Sequence, residues 1–186
     1  MDSPCKPADT MPARRVPAGF TLVELLAALA LLAILAGMAA PSLRELAARH
    51  RLATAANQFV ASFQQARMHA LANQLPTELC PAVQEHACSG GLDWSAGWLA
   101  WQDDNRNRRL DPGEPVLARV DPLPAGLTAR SSIGRPQLRY RPDGSASGSN
   151  LTLTLCDSRL PGQGRAVVVN NGGRPRTGPA APGACP

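Results

Sequence analysis

Aromatic residues, lysine and histidine are all scarce in this chain of 186 residues. Aromatic side chains make up 4% of the sequence, which argues against a large aromatic core. The three histidines, His50, His69 and His86, have no evident acidic or nucleophilic partner, and Gly162-x-Gly164 lacks the third glycine of a dinucleotide-binding fingerprint. We therefore predict that the protein is not an enzyme and needs no cofactor.

The basic charge of the chain lies in its C-terminal third. The formal net charge is +5, and Lys6 is the one lysine, so arginine supplies nearly all of the positive charge. Residues 20–122 carry 8 Arg against 10 Asp and Glu, whereas residues 123–186 carry 8 Arg against 2 Asp. An excess of positive charge confined to one region indicates an anionic partner there.

The N-terminal segment combines a polar leader with a long apolar run. Residues 1–19 are polar and include Arg14 and Arg15, whereas residues 20–40 are apolar apart from a threonine and Glu24. A helix of this length, at about 1.5 Å per residue, would cross the ~30 Å hydrocarbon core of a bilayer. The basic flank favours a cytoplasmic N-terminus.

Two interpretations of this run differ in what happens to it. A cleaved secretory signal needs an apolar core of only about 7–15 residues, and Glu24 inside the run would cost about 3 kcal/mol in a membrane. Cleavage between Gly19 and Phe20 would instead leave a new amino group, which in an assembly could neutralise Glu24 of a neighbouring subunit. The second interpretation predicts a retained helix whose Glu24 favours assembly.

Residues 19–26, Gly-Phe-Thr-Leu-Val-Glu-Leu-Leu, resemble the class III signal of type IV pilins and type II secretion pseudopilins. The resemblance implies that a prepilin peptidase cuts after Gly19, that Phe20 is then methylated, and that Glu24 is the family's acidic fifth mature residue. It also implies a single-pass inner-membrane protein with a periplasmic domain. This protein then joins other pilin subunits in a pilus or pseudopilus.

Helical spacing continues beyond the apolar run. Apolar side chains recur at intervals of three and four residues at Leu52, Ala56, Phe59, Val60 and Phe63. Pro41 is expected to bend the helix, and Pro76 and Pro81 mark its end. The pattern predicts an amphipathic continuation of the helix over residues 41–75.

The remaining residues, 76–186, show the patterns of β-strands and turns. Stretches 97–102, 115–120, 137–141, 151–155 and 165–170 either alternate apolar and polar side chains or are rich in β-branched residues. We therefore predict an α+β fold, in which a long N-terminal helix, transmembrane in its first half, packs on an antiparallel β-sheet domain with a basic C-terminal tail. The layout is similar to that of the FimT/GspH-type minor pilins.

Four cysteines remain if the leader, which contains Cys5, is removed. In an oxidising compartment they are expected to form disulfides. Of three possible pairings we favour Cys80–Cys88, which spans a short loop, with Cys156–Cys185, which ties the C-terminus to a strand end. A zinc site that uses Cys80, His86 and Cys88 is the alternative, but it lacks a clear fourth ligand.

A polar loop after residue 102 resembles a calcium-binding loop. Its oxygen-bearing side chains recur at alternating positions and end with an acid at the twelfth: Asp103, Asn105, Asn107, Asp111 and Glu114. Arg108 replaces the glycine that is usual at the sixth position. We favour a solvated β-hairpin without metal, and calcium binding is the alternative.

The basic region contains the motif Gly173-Arg174-Pro175-Arg176. Turn-forming residues before it are expected to lift both guanidinium groups off the sheet, and planar guanidinium groups suit phosphate oxygens. Arg159 and Arg165 are expected to join this patch, and Arg135, Arg139 and Arg141 would extend it.

The motif resembles the Gly-Arg-x-Arg signature of FimT-type pilins implicated in DNA uptake during natural transformation. This resemblance implies that Arg174 and Arg176 contact DNA. The alternative is structural: the arginines cap carbonyls or pair with a carboxylate of another subunit, and the protein primes a pilus or secretion pseudopilus without binding DNA.

Overall fold

The structure is a computed structural model that describes residues 21–84 and 87–186. The expected cleavage site between Gly19 and Phe20 lies outside the described residues. The chain divides into two compact units, one that ends at Pro41 and one that runs from Ser42 to Pro186. A single helical element, α1 (Leu22–Asn73), contributes residues to both units.

In the first unit, Thr21 caps the start of α1. Its Oγ1 accepts a hydrogen bond from the Glu24 amide at 3.2 Å, and its carbonyl accepts one from the Leu25 amide at 3.1 Å. The large apolar side chains from Leu22 to Met38, which belong to the described part of this unit, are exposed in the isolated chain. No single helix among the described residues is both long and apolar enough to span a membrane. The segments Leu22–Met38 and Ser42–Asn73, which both belong to α1, reach the required length and hydropathy only when they are counted together.

In the second unit, one face of α1 is buried. Leu52, Ala56, Phe59 and Phe63 are buried and Val60 is half-buried, as the spacing predicts. The Phe59 ring stacks on Trp98 with ring centroids 3.9 Å apart, so the helix packs on a strand through aromatic side chains.

The described residues contain nine β-strands, which form two antiparallel sheets. The first sheet has the order β2-β1-β3-β4, with β6 also paired to β1, and the second has the order β5-β7-β8-β9. The strands are β1 (Thr77–Gln84), β2 (Ala87–Cys88), β3 (Trp98–Gln102), β4 (Val116–Val120), β5 (Leu127–Ser131), β6 (Leu138–Tyr140), β7 (Leu151–Asp157), β8 (Gly164–Val169) and β9 (Pro175–Pro179). The predicted fold class is confirmed.

The five predicted stretches correspond to β3, β4, β6, β7 and β8, whereas β1, β2, β5 and β9 were not predicted. Pro81, which we expected only to mark the end of the helix, lies inside β1 opposite Trp98. The Ala82 amide donates to Gly97 on the β3 side, so residue 81 faces the other edge, beside β2. The Pro81 carbonyl accepts there from the Ser89 amide at 2.8 Å, and only the return hydrogen bond from residue 81 is lost.

Candidate functional site

The Gly-Arg-Pro-Arg motif forms the start of an edge strand. Pro175 pairs with Val169 and Arg176 pairs with Val168, which makes β9 the last strand of the second sheet. Pro175 is buried, whereas Arg174 and Arg176 are exposed. Arg176 lies on β9 and Arg174 directly precedes it, and exposure alternates along residues 173–176, so both arginines lie on the side away from the buried Pro175. The expectation of a basic C-terminal tail is wrong for residues 175–179, because sheet pairing holds them.

We call this face, opposite the buried side chains Leu151, Leu153 and Leu155, the outer face of the second sheet. Its positions between the arginines and the far edge are occupied by small or neutral side chains, including Thr152 and Thr154. The outer-face positions of the four strands carry no acidic side chain. Arg174 and Arg176 make no ion pair or carbonyl hydrogen bond within the described part of the chain.

The glycine of the motif is required by a close backbone approach. Gly173 has φ +73°, and a Cβ atom built there would collide with the carbonyl oxygen of Gly144 and lie 3.2 Å from Cε1 of Tyr140. Its amide donates to Asn170 at 2.9 Å, which closes the β8–β9 turn. A side chain at 173 would push the turn, and Arg174 with it, away from its support.

That support is the 141–145 turn, which α1 holds in place. The Gly144 amide donates to Arg141 at 2.8 Å, and Nε of Arg67 donates to the Gly144 carbonyl at 2.8 Å. The sequence does not predict this role of Arg67, because nothing distinguishes one arginine on a helix from another before the positions of the sheets are known. Hydrogen bonds from Ser145 lower the pKa of the exposed Asp143 carboxyl, so a negative charge accompanies Arg141 in this turn.

Arg159 and Arg165 do not lie beside the motif. Arg165 pairs with Pro179 at the other end of β8, and Arg159 lies in the β7–β8 turn beyond it. At about 3.3 Å per residue, the four residues from Arg165 to Val169 place the two ends about 13 Å apart. Arg165 also falls on the face opposite Arg176. The single patch expected from the sequence is therefore wrong: the register of β8 divides it.

Arg135 and Arg139 do not extend the patch either. An amino group of Arg135 donates to the Gly148 carbonyl at 2.7 Å. Arg139 lies on β6, where Nε is 3.3 Å from Glu78 and a terminal nitrogen is 3.6 Å from Asp103. Their guanidinium groups support loops and neutralise buried carboxylates.

One further exposed arginine lies on the outer face. Arg130, on β5, was missed because β5 itself was not predicted, although Leu127–Ser131 alternates between buried and exposed side chains. Asp93 pairs with Arg130 through the backbone in an isolated β-bridge, and no ion pair joins their side chains among the described residues. Arg130 lies on the far edge strand of the sheet from Arg174 and Arg176, which are two residues apart.

The polar loop connects β3 to β4, which pair as an antiparallel hairpin. Its oxygens are engaged by the loop itself. Asp103 accepts hydrogen bonds from the Asn107 and Arg108 amides at 3.0 and 3.1 Å, and Asp111 accepts from Asn105 and Asn107 at 2.7 and 2.6 Å. These side-chain hydrogen bonds lower the pKa of Asp111.

Residues 104–109 of the loop are exposed, as expected for a solvated hairpin, but the first residue of the loop is not. Asp103 is fully buried, because it sits beside Arg139 under the loop. Residues 21–84 and 87–186 contain no group of three or more His, Cys, Asp or Glu side chains that could hold a metal ion.

Two disulfides are present, Cys80–Cys88 and Cys156–Cys185, and these are the pairs that the sequence analysis favours. Bonded sulfurs cannot act as thiolate ligands, so the zinc interpretation loses two of its three donors. The third, His86, lies outside the described residues. Glu24 is exposed in the first turn of α1.

Comparison with known proteins finds family matches for the N-terminal segment and for the region that contains most of the two sheets. The family model described as "Type II transport protein GspH" matches residues 55–173, and the "Prokaryotic N-terminal methylation motif" matches residues 14–40. The GspH match ends at Gly173, so Arg174 and Arg176 lie beyond it. A pilin-like protein, PilA1 of Thermus thermophilus, is 32% identical over 173 residues, which cover 85% of this chain and 96% of that protein.

Two crystal structures of the type IV minor pilin FimU of Pseudomonas aeruginosa share the fold. One gives a TM-score of 0.53 at 21% identity and covers 74% of this chain and 94% of FimU. The second crystal form gives a TM-score of 0.50 at 20% identity and covers 73% and 97%.

Proposed function

The chain belongs to the GspH family of minor pilins and pseudopilins, and we propose that in this role it binds DNA through Arg174 and Arg176 for uptake in natural transformation. The membership establishes a minor subunit of a type IV pilus or type II secretion system. The methylation motif and the apolar start of α1 fit an inner-membrane anchor for a soluble domain.

The observation that carries the DNA proposal is the exposure of two unpaired guanidinium groups on one acid-free sheet face. Guanidinium groups bind phosphate oxygens through paired hydrogen bonds, and a face without carboxylates does not repel the DNA backbone. Pairing with β8 and the contact of Gly173 with Gly144 hold the motif in one conformation, which lowers the entropy lost on binding.

The expected binding mode is electrostatic and independent of sequence. The aromatic side chains within the described residues are buried, namely Phe59, Phe63, Trp94, Trp98, Trp101 and Tyr140. The described residues therefore offer bases no exposed aromatic ring on which to stack, and the expected contacts are those to phosphates. Affinity should fall steeply with salt, by a log–log slope of about −0.9 per phosphate contacted.

The test measures DNA affinity of the full chain in non-ionic detergent, by fluorescence anisotropy of a short duplex across a salt series. Changing Arg174 and Arg176 together to Gln should weaken binding about tenfold and make the salt slope shallower by about 2. Melting temperatures should be unchanged, because both side chains are exposed and unpaired.

A matched control is available at the other end of the sheet. The double change of Arg159 and Arg165 to Gln removes the same charge, also from exposed side chains, but about 13 Å along β8. It should leave the slope nearly unchanged. Equal effects of the two double variants would assign binding to net charge and contradict the proposal.

The alternative is a purely structural subunit whose arginines pair with carboxylates of a neighbouring subunit. In that case the Arg174 and Arg176 variant would keep its DNA affinity and instead fail to assemble into the filament. Counting pili or pseudopili on cells that carry each double variant distinguishes the two functions.

A further inference from the structure

A polar cavity of about 180 Å³ lies on the first sheet, on the face that carries Glu78. The cavity is open to solvent on one side and is bordered by the 103–114 loop and by the segments around residues 135 and 148. Its charged and hydroxyl side chains are Glu78, Arg108, Arg135, Arg139 and Ser149. This volume is well above the ~10–15 Å³ that one water molecule needs, so the cavity has room for a small polyatomic ion. None of these residues belongs to the Arg174–Arg176 motif.

The lining has an excess of positive charge. Nε of Arg139 lies near Glu78, and another of its nitrogens lies near Asp103. One amino group of Arg135 donates a hydrogen bond to the Gly148 carbonyl. A guanidinium carries five donors, so each keeps several for a ligand. Arg108 is exposed and its side chain makes no ion pair with any described residue. Three such groups around one space favour an oxyanion.

Glu78 adds a requirement that a simple anion does not meet. Its side chain is 1% exposed, and Oε1 has no hydrogen-bond donor, although Nε of Arg139 is 3.3 Å away. A buried acceptor without a donor is destabilising, so a ligand that brings its own donor is favoured. The ligand must then accept from arginine and donate to Glu78.

We propose that this cavity binds inorganic phosphate, with its P–O oxygens accepting from Arg108, Arg135 and Arg139 and its P–OH donating to Oε1 of Glu78. Sulfate has the same shape but no proton near neutral pH, and a phosphodiester has none either. The cavity therefore selects hydrogen phosphate over both ions.

The ionisation of Glu78 determines the pH at which phosphate and sulfate should be compared. Burial raises the pKa of its carboxyl to about 7, Arg139 and Arg108 lower it, and Asp103 and Glu114 raise it. At about pH 8 the carboxylate is ionised and repels any anion that lacks a proton, whereas hydrogen phosphate still carries one. Selectivity should be greatest there.

Isothermal titration of the full chain in non-ionic detergent at about pH 8 should give phosphate an affinity at least about tenfold above that of sulfate or dimethyl phosphate. Glu78→Gln should bring sulfate close to phosphate, because the amide can donate and carries no charge. Arg174→Gln with Arg176→Gln should leave the phosphate affinity unchanged, which separates this site from the DNA proposal.

Arg108→Gln and Arg106→Gln form a matched pair. Both residues are exposed on the same loop with left-handed φ of 65° and 63°, but only Arg108 lines the cavity. Arg108→Gln should weaken phosphate binding about fivefold or more, and Arg106→Gln should not. Neither measurement depends on the folding of the Glu78 variant. Absence of phosphate binding, equal binding of sulfate by the unmodified chain, or equal loss in both arginine variants would overturn the proposal.

Discussion

At the scale of single residues, the backbone rather than a side chain decides what position 173 tolerates. Gly173 combines left-handed φ with a contact to Gly144 that leaves no room for a Cβ atom. The sequence placed the glycine in a recognisable motif, but the clash that requires it comes from a turn 29 positions away in the chain. A local pattern cannot report such a contact.

Gly173→Ala should therefore lower the free energy of unfolding by at least about 2 kcal/mol, since the left-handed conformation and the clash both oppose it. Gly178→Ala is the control, because Gly178 lies in β9, five residues after Gly173, with no positive φ and nothing within 4 Å of the added Cβ. It should be neutral or slightly stabilising. Urea unfolding followed by circular dichroism compares the two variants, and equal stability would contradict this account of the turn.

The arginines also differ in whether a carboxylate lies close enough to neutralise their charge. Arg139 is half-buried beside two buried carboxylates, whereas Arg174 and Arg176 face solvent without partners among the described residues. The sequence shows only that the C-terminal third is basic. Which guanidinium groups remain free depends on which carboxylates and carbonyls the fold brings within reach.

At the scale of secondary-structure elements, periodicity predicted well where it was strong. β7 alternates as Leu-Thr-Leu-Thr-Leu and buries every leucine, as expected. β9, Pro-Arg-Thr-Gly-Pro, has no strand pattern and exists because the end of β8 offers it a pairing edge. An edge strand tolerates proline, so tertiary pairing overrides local propensity there.

The C-terminal segment after β9 is tied back to β7 by the Cys156–Cys185 disulfide, across a sequence separation of 29. Replacing both cysteines by Ser should lower the free energy of unfolding by about 3–4 kcal/mol in the chain-entropy model. The Cys80–Cys88 pair closes a separation of only 8, so its double Ser variant should lose about 2–3 kcal/mol through chain entropy. Thermal unfolding of both variants tests the model, and no loss on removing Cys156–Cys185 would contradict it.

At the scale of the whole molecule, the two units differ in what they can bury. The unit from Ser42 to Pro186 has an internal core around Phe59 and Trp98, whereas the large apolar side chains of Leu22–Met38 are exposed. Such a surface needs lipid or other helices to cover it. This agrees with the family's anchored, assembling subunits.

We propose that the leader is removed between Gly19 and Phe20 and that Glu24 then favours subunit assembly. The chain purified from its own cells should have a mass that lacks residues 1–19 and includes one added methyl group. Changing Gly19 to a bulky residue should leave the leader attached and prevent assembly, whereas a change elsewhere in the leader, such as Asp9→Asn, should not. A mature chain that still begins at Met1, or that lacks the whole apolar run, would contradict the proposal.

The sequence by itself determined the class of protein and the α+β order, because hydrophobic periodicity and the signal motif are local properties of the chain. It also contained enough to favour the correct cysteine pairs. Only the tertiary structure decided the division into two sheets, the separation of Arg165 from Arg174, and the cavity around Glu78. Each of these depends on strand register and burial between distant residues, which local pattern does not encode.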